Sequence, residues 1–285
     1  MTEWYERHRG LLFTLAYQLT GSAADAEDVV QDVFVKACLL EPDRLADPKA
    51  YLCKMTTNRS LDLVRSARRR RETYVGEWLP EPIPTPDDET FEAVARGELL
   101  SYAMLVLLER LTPSERTVFV LREAFGFDYA GIAELAGKTE ANCRKLHSRA
   151  KSKLGLGPAE PVRPEEAGEA WVRRFLAALE SGSADSVVAL LAEDVVAISD
   201  GGGQAAAAIH PIETPSRVMR FLTGLARKFM APGEGMTFAL ADINGQTGLT
   251  FSSAGVIDTV VLLHVEGGAV RGLYFIRNPD KLRRF

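Results

Sequence analysis

The chain has 285 residues, of which 46% are hydrophobic and 26% charged, and it carries a net charge of −5. This length is enough for two or three compact domains, and the composition is that of an ordinary globular protein. No apolar run reaches the roughly 18 residues that span a bilayer, and the first residues lack the basic start and apolar stretch of a secretory signal. We therefore expect a cytoplasmic protein that does not contact a membrane.

Cysteine spacing and charge distribution narrow the choice further. Cys38, Cys53 and Cys143 lie far apart, without a CxxC pair or a His at ligand spacing, which argues against a disulfide framework and a structural zinc site. The sequence implies no cofactor and no metal. Two basic clusters interrupt the acidic chain: five Arg lie in residues 65–71, and six Lys or Arg lie in residues 138–153. Such clusters indicate either local phosphate contacts or solvated charged faces.

Two Pro-rich stretches divide the chain. The first carries Pro at every second position over residues 80–86, so it cannot be helical and should be extended. The second, residues 155–164, contains two Gly and three Pro. The resulting domains are 1–72, 90–155 and 165–285, joined by linkers 73–89 and 156–164.

The first domain is predicted to be helical, and one of its helices has an acidic face. The helix that starts at Gly21-Ser22 carries Asp25, Asp28 and Asp32 at the spacing i, i+3, i+7, opposite much of its apolar stripe. A solvated face is one explanation, because acidic residues near a helix start interact favourably with the helix dipole. A docking surface for a basic partner is the other.

The next helix carries a polar row that leads into the first basic cluster. It should start at Asp47-Pro48, where a capping residue precedes proline at the first helical position. Asn58, Asp62 and Arg65 follow at i, i+4, i+7. Arginines of this kind bind phosphates, and Asn and Asp side chains can read base edges. A purely structural hydrogen-bonded row of the same side chains is the alternative.

The second domain has the pattern of a helix-turn-helix motif. Gly137 ends one short helix and Thr139 can cap the next, which gives the tight turn of this motif. The following helix, Thr139 to Leu154, would be the recognition helix, whose N-terminal residues enter the major groove. A plain helical hairpin is the alternative. The side chains offered to DNA would be Asn142, Arg144, Lys145, Arg149 and Lys153.

The third domain is predicted to be α+β. Helices at about 167–180 and 184–192 precede a strand at 195–199. A further helix at about 215–229 is followed by strand-rich sequence from Met236 to Ile276, punctuated by Gly-containing turns.

Together these motifs resemble an extracytoplasmic-function (ECF) RNA polymerase sigma factor over the first 155 residues. Residues 20–34 resemble conserved region 2, residues 58–65 its promoter-melting helix, and residues 90–155 region 4. The resemblance implies a non-enzymatic initiation factor that binds promoter DNA and core RNA polymerase, through the β′ clamp helices and the β subunit. The implied contacts are Asp25, Asp28, Gln31, Asp32 and Phe34 for core polymerase; Asn58, Arg59, Asp62 and Arg65 for the minus-ten element; and Thr139, Asn142, Arg144, Lys145 and Arg149 for the minus-thirty-five element.

Three further motifs, residues 74–82, 200–204 and 278–282, resemble signatures of the SigJ-type subgroup. That subgroup carries a C-terminal SnoaL-like domain, so the resemblance implies a multidomain protein of two all-α sigma domains and an α+β SnoaL-like cone. This chain has Gln204 where the subgroup's loop usually ends in Lys, and Glu77 where its linker usually has Pro. The implied regulatory contacts are Trp78, Leu79, Asp200, Gly201, Gly202, Gly203, Asn278, Pro279 and Asp280.

Two other functions stay open at this point. A one-component regulator would combine the helix-turn-helix with a ligand-binding cone, but it needs neither the acidic helix nor the long linker. An enzyme in the cone would draw on acid–base residues that show no diagnostic spacing. An unknown small ligand of the C-terminal domain is compatible with the sigma-factor hypothesis as well. The candidate acid–base residues are Asp200, His210, Asp242, Asp258 and His264.

Overall fold

The computed structural model describes residues 2–38, 47–71, 73–85, 100–157, 168–229 and 236–285. They form two compact units. The helical unit contains the described residues up to 71, Leu100 and residues 104–157. The C-terminal unit contains residues 73–85, residues 101–103 and the described residues from Gly168 onward. Within these ranges no helix is both long and apolar enough to cross a membrane.

The linker bounds inferred from the sequence fall partly outside this description. Residues 86–89 and 158–164 are not among the described residues. Residues 73–85 contain no helix, as the alternating prolines predict, and they belong to the C-terminal unit.

The first three helices pack around a shared apolar core. Leu12, Leu15, Val29 and Leu52 are fully buried among them. The bounds of the helices are α1 Thr2–Thr20, α2 Ala23–Ala37, α3 Pro48–Arg71, α4 Tyr102–Leu108, α5 Pro113–Glu123, α6 Tyr129–Ala136 and α7 Glu140–Lys153. Helices α1 to α3 form the first half of the helical unit, and α4 to α7 follow in its second half.

Helix ends follow the capping signals of the sequence. The Ser22 hydroxyl accepts a hydrogen bond from the Asp25 backbone N–H at 3.2 Å, which starts α2. Gly137 ends α6 in the left-handed conformation at φ 62°, and Thr139 caps α7. The tight turn of a helix-turn-helix is therefore present.

The two halves of the helical unit pack on each other. Helix α6 packs against α3, and α5 packs against both α1 and α3. The buried Arg116 guanidinium donates through Nε to the Gln18 carbonyl at 2.9 Å. At the rim of this contact, Lys54 and Glu134 form an ion pair at 3.6 Å.

The C-terminal unit is a six-stranded sheet with helices packed on one face. The strand order is β2-β1-β6-β5-β4-β3, in which only β1 and β6 pair in parallel. Val172, Phe175, Val218 and Leu273 contribute to its core. The elements are α8 Glu169–Glu180, α9 Ala184–Val188, β1 Leu191–Asp200, β2 Ile212–Glu213, α10 Pro215–Phe229, β3 Met236–Ile243, β4 Gln246–Ser253, β5 Val256–Glu266, β6 Ala269–Ile276 and a 3₁₀ turn Pro279–Lys281.

The predicted α+β architecture is confirmed, with one boundary wrong. The expected helix at 184–192 stops at Val188, and the strand expected at 195–199 begins already at Leu191. Leu191, Val195 and Ala197 are buried in the core of this unit. Burial of apolar residues on the sheet therefore overrides the helical pattern of the preceding sequence.

Candidate functional site

The acidic face of α2 is largely open to solvent. Asp28 and Gln31 are exposed, whereas Asp25 and Asp32 are half-buried. Phe34 is only 7% exposed and packs edge-on against the Tyr5 ring, with centroids 4.9 Å apart. Of the five residues predicted to bind polymerase, four are therefore at the surface, and Phe34 supports them from the core.

The polar row of α3 is exposed beside that face. Asn58, Asp62 and Arg65 are exposed, and Arg65 pairs with Asp62 at 3.5 Å. Arg59 donates through Nε to Asp32 at 2.7 Å. This ion pair brings together the two predicted sites of the first domain. The side chains of residues 68–71, which complete the arginine cluster, lie outside the described part of the chain.

Helix α7 presents its predicted DNA-contacting side chains to solvent. The Thr139 hydroxyl accepts from the Asn142 N–H at 3.3 Å, so the helix start is capped. Cys143 and Ala150 are fully buried on the opposite side. The exposed residues are Thr139, Asn142, Arg144, Lys145 and Arg149.

The buried carboxylate of Asp200 organises contacts between the linker and the C-terminal unit. One carboxylate oxygen accepts from the Tyr74 hydroxyl at 2.5 Å and from the Gly202 N–H at 3.1 Å. The other accepts from the Leu79 N–H at 2.9 Å and from the Lys281 ammonium at 2.6 Å. We call residues 73–85, together with residues 200–204 (the Asp200 loop) and residues 278–281, the linker clamp.

Lys281 is the cation of the linker clamp. Its ammonium also donates to the Leu79 carbonyl, and it lies 3.9 Å from the centroid of the Trp78 ring and 5.3 Å from that of Tyr74. Burial, followed by the hydrogen bond to Asp200, raises the pKa of Tyr74. Tyr74 is thus a neutral donor to the carboxylate, whereas Lys281 donates to it as a cation.

The glycines of the Asp200 loop allow close backbone approach. A Cβ on Gly201 would lie 2.2 Å from the Ala205 carbonyl oxygen. Gly202 has φ +60°, and a Cβ there would lie 2.4 Å from the Asn278 amide nitrogen. Asn278 in turn donates to the Tyr74 hydroxyl at 2.8 Å.

Gln204 replaces the usual cation of this loop without leaving Asp280 unpartnered. Its amide donates to Asp280 at 2.9 Å, and Arg283 donates to the same carboxylate. These two hydrogen bonds, the first from Gln204, lower the pKa of Asp280. A neutral amide and an arginine therefore pair with the Asp280 carboxylate. Pro279 is exposed and begins the 3₁₀ turn that follows Asn278.

The rest of the linker extends the edge of the sheet. Ile83 and Asn244 exchange two hydrogen bonds, at 3.1 and 2.9 Å, and the Thr85 N–H donates to the Asp242 carbonyl at 2.9 Å. The Tyr102 hydroxyl, at the start of α4, donates to the Pro80 carbonyl at 2.7 Å. Residues on both sides of the segment 86–99 are thus fixed to the C-terminal unit.

An apolar cavity of about 220 Å³ lies between the helices and the sheet of the C-terminal unit. Its described lining includes Phe175, Leu222 and Phe251, and its only polar lining residues are Glu180 and Thr237. None of the five candidate acid–base residues belongs to that lining. Asp200 is used by the linker clamp, and His210 and Asp242 are exposed.

The sequence motifs identified most of the linker clamp but missed two of its central residues. Tyr74 and Lys281 both lie in the quoted motifs, yet neither was among the predicted contact residues. The sequence does contain a signal for these two residues. The three motifs include a lysine, two aromatic residues and an aspartate, and such side chains can form a cation–π contact and an ion pair.

Comparisons with known proteins agree with these features. Residues 4–70 match the family model "Sigma-70 region 2", and residues 101–154 match "Sigma-70, region 4". The ECF RNA polymerase sigma factor SigJ of Mycobacterium tuberculosis is 38% identical over 97% of this chain and 91% of its own length. Probable ECF sigma factor SigI of the same species is 31% identical, over 66% of this chain and 65% of its own length.

A solved structure agrees over both units. The crystal structure of M. tuberculosis SigJ aligns with a TM-score of 0.79 at 34% identity, covering 99% of this chain and 98% of that one. The two all-α sigma domains and the α+β C-terminal domain predicted from the sequence are therefore confirmed. The chain belongs to the extracytoplasmic-function family of RNA polymerase sigma factors.

Proposed function

We propose that this sigma factor docks on the β′ clamp helices of core polymerase through the acidic face of α2, with further contacts to the β subunit. In this proposal the exposed row of α3 captures the minus-ten strand, and α7 reads the minus-thirty-five element in the major groove. The protein acts in the cytoplasm, on the chromosome. The observation that carries the proposal is the simultaneous exposure of these three charged surfaces on a sigma-type helical unit.

The closed helical unit cannot contact both promoter elements at once. The elements are about 25 base pairs apart, which is about 85 Å of duplex. Helix α6 packs on α3, and α7 packs on α6. At 8–10 Å for each helix contact, α3 and α7 are only about 20 Å apart. The two halves of the helical unit must therefore separate before transcription starts.

The linker clamp controls that separation in cis. Residues 72–103, fully extended, could bridge about 100 Å, which is enough for the promoter. In the linker clamp, residues 73–85 are hydrogen-bonded to Asp200 and Asn244. Tyr102 is hydrogen-bonded to the Pro80 carbonyl of the same segment. A chain fixed at both of these points cannot extend between α3 and the second half. Release of the clamp is therefore a condition for reading both elements.

The cavity supports a second role for the C-terminal unit, that of binding an uncharged small ligand without turnover. Among the described residues the lining is apolar apart from Glu180 and Thr237. Catalysis of proton transfer needs an acid or base beside the substrate, and the candidate residues lie elsewhere in the described unit. An engineered apolar cavity of about 150 Å³ binds benzene, so a cavity of this kind suits a compact apolar ligand. Membership of the sigma-factor family argues against the one-component and enzymatic alternatives more directly than the apolar lining of this cavity does.

Run-off transcription with core polymerase tests the proposal. We expect promoter-specific transcripts only when core polymerase and the full chain are combined, and loss of these transcripts for Arg144→Ala. Truncation after Leu156 removes the sheet and helices that hold residues 73–85, and Trp78→Ala weakens the linker clamp, so both changes should alter the transcriptional output. If both variants match the full chain, control in cis is wrong, whereas transcripts from Arg144→Ala at the wild-type level would contradict the role of α7.

A further inference from the structure

A tyrosine beneath the recognition helix contacts two arginines. Tyr129 is the first residue of α6, and the guanidinium groups of Arg122 and Arg144 lie 5.0 and 4.9 Å from the centroid of its ring. At such distances a guanidinium is attracted to the negative face of an aromatic ring. Arg122 is held in addition by the Phe127 carbonyl at 2.9 Å.

The ring of Tyr129 is itself held by a buried histidine. The Tyr129 hydroxyl lies 3.0 Å from Nδ1 of His147, and Nε2 of His147 lies 2.8 Å from a Glu123 carboxylate oxygen. Burial lowers the pKa of His147, so its ring is neutral at pH 7. Since the carboxylate only accepts, Nε2 carries the proton and Nδ1 accepts from the tyrosine hydroxyl. His147 and Glu123 therefore hold the Tyr129 ring in one orientation.

Of the residues around Tyr129, Arg144 is the one on the exposed face of α7 that is proposed to contact DNA. It lies in the N-terminal half of α7, and its side chain is 58% exposed. Glu140, one turn earlier, holds the guanidinium at 3.0 Å. The planar fork of an arginine matches the O6 and N7 acceptors that guanine presents in the major groove. A side chain that is already restrained loses less conformational freedom when it binds.

We propose that Tyr129 is a positioning residue that orients Arg144 to read a guanine of the minus-thirty-five element, and that His147 and Glu123 hold the tyrosine ring for this purpose. The inference rests on the proposed role of α7 as the recognition helix. It adds the base that is read and the residue that sets the geometry of reading. Tyr129 does not contact the DNA in this arrangement; it acts through Arg144.

A selection experiment with the holoenzyme tests this role. The full chain is combined with core polymerase, and duplex promoters randomised over the minus-thirty-five element are bound, recovered and sequenced. Wild type, Arg144→Ala, Tyr129→Leu and Tyr129→Phe are compared, with Phe13→Leu in α1 as a control for loss of an aromatic ring. The readouts are the guanine preference at each position, the total DNA retained and the salt dependence of retention.

The Tyr129 variants should differ from wild type in guanine preference rather than in the total DNA retained. We expect Arg144→Ala to abolish one guanine preference and Tyr129→Leu to reduce that preference by about two- to tenfold, while Tyr129→Leu retains total binding and the salt dependence. Tyr129→Phe keeps the ring but not the bond to His147, so its reduction should be smaller. Phe13→Leu should match wild type. A role in folding alone would change retention and preference together.

Separate results overturn separate parts. If Arg144→Ala keeps the wild-type preference, α7 is not the reader and the proposed function fails at this point. If Arg144→Ala loses the preference but Tyr129→Leu keeps it, the proposed function stands and the positioning role of Tyr129 is wrong. If Tyr129→Leu does not fold, Tyr129→Phe is the deciding variant. A guanine preference equal to that of wild type would then show that His147 and Glu123 do not orient the ring, and the proposal would be wrong.

Discussion

The Arg59 guanidinium donates to the Asp32 carboxylate at 2.7 Å, and this contact joins the helix predicted to capture DNA to the helix predicted to bind polymerase. Both side chains are partly exposed. Ion pairs at such positions contribute only about 0–1 kcal/mol, so the pair can be exchanged for contacts to a partner at low cost. Asp32 is thus partly neutralised in the unbound protein, and Asp28 is the more exposed acid of the same face.

Reversal of one charge on this face should weaken the binding of core polymerase. We expect Asp28→Lys to lower the affinity at least about tenfold, or about 1.4 kcal/mol, because a basic partner would meet a like charge. The melting temperature should not change, since Asp28 is exposed and lies away from the apolar core. Titration of labelled core polymerase measures the effect, with Glu6→Lys on the exposed side of α1 as the control. Equal affinity for both variants would remove α2 from the docking surface.

Local signals predicted much of the helical unit, whereas the linker clamp depends on distant partners. Ser22, Gly137 and Thr139 set helix ends through contacts within a few residues, so the sequence alone predicts them. The clamp joins Asp200 to Tyr74 and Lys281 across 126 and 81 positions. Neither helical nor strand periodicity predicts a contact between residues so far apart in the sequence. The resemblance identified the motifs, but only the folded chain shows which side chain neutralises which.

The close approach at Gly202 predicts a specific cost for adding a methyl group. Gly202 and Gly267 share nearly the same backbone angle, φ +60° and +59°, but a Cβ at Gly267 would meet nothing within 4 Å. Gly267→Ala should therefore destabilise the C-terminal unit by only about 1 kcal/mol, the cost of the left-handed conformation. Gly202→Ala should exceed this by a further 1–3 kcal/mol, roughly, because Asn278 must move. Urea unfolding of the two variants measures the difference. Equal losses would mean that Asn278 yields freely.

The lowered pKa of His147 predicts a pH-dependent stability of the helical unit. In the unfolded chain a His has a pKa of about 6.5, whereas burial lowers the pKa of His147 in the folded protein. Below about pH 6.5 the unfolded state binds the proton first, so the free energy of unfolding falls as the pH is lowered toward the folded pKa. Melting temperatures at pH 7.5 and 5.5 should show this loss for wild type and a smaller loss for His147→Gln. The exposed His210→Gln should behave as wild type; a His147→Gln profile identical to wild type would contradict the assignment.

Lys281 offers the sharpest test of control by the linker clamp, because it compensates a carboxylate that is fully buried. Asp200 has no exposed surface, and the Lys281 ammonium lies 2.6 Å from it. Removal of one partner from a buried ion pair costs roughly 3–5 kcal/mol, since the other charge is left in a medium of low polarity. Arg271 provides a matched control: it pairs with Asp194 and Glu266 at the surface of the same unit, at 3.1 and 3.0 Å. Loss of such surface pairs costs about 0–1 kcal/mol.

We therefore expect Lys281→Met to open the linker clamp and Arg271→Met to leave it closed. The methionine keeps much of the apolar stem but loses the donor to the Leu79 carbonyl and the cation over the Trp78 ring. Hydrogen exchange at the Leu79 amide, which donates to Asp200 at 2.9 Å, should become faster, and run-off transcription should rise because the two halves of the helical unit can separate. The two readouts test different links. Faster exchange without a rise in transcription would show that the clamp opens but does not limit initiation, and unchanged exchange would show that Lys281 does not hold the linker.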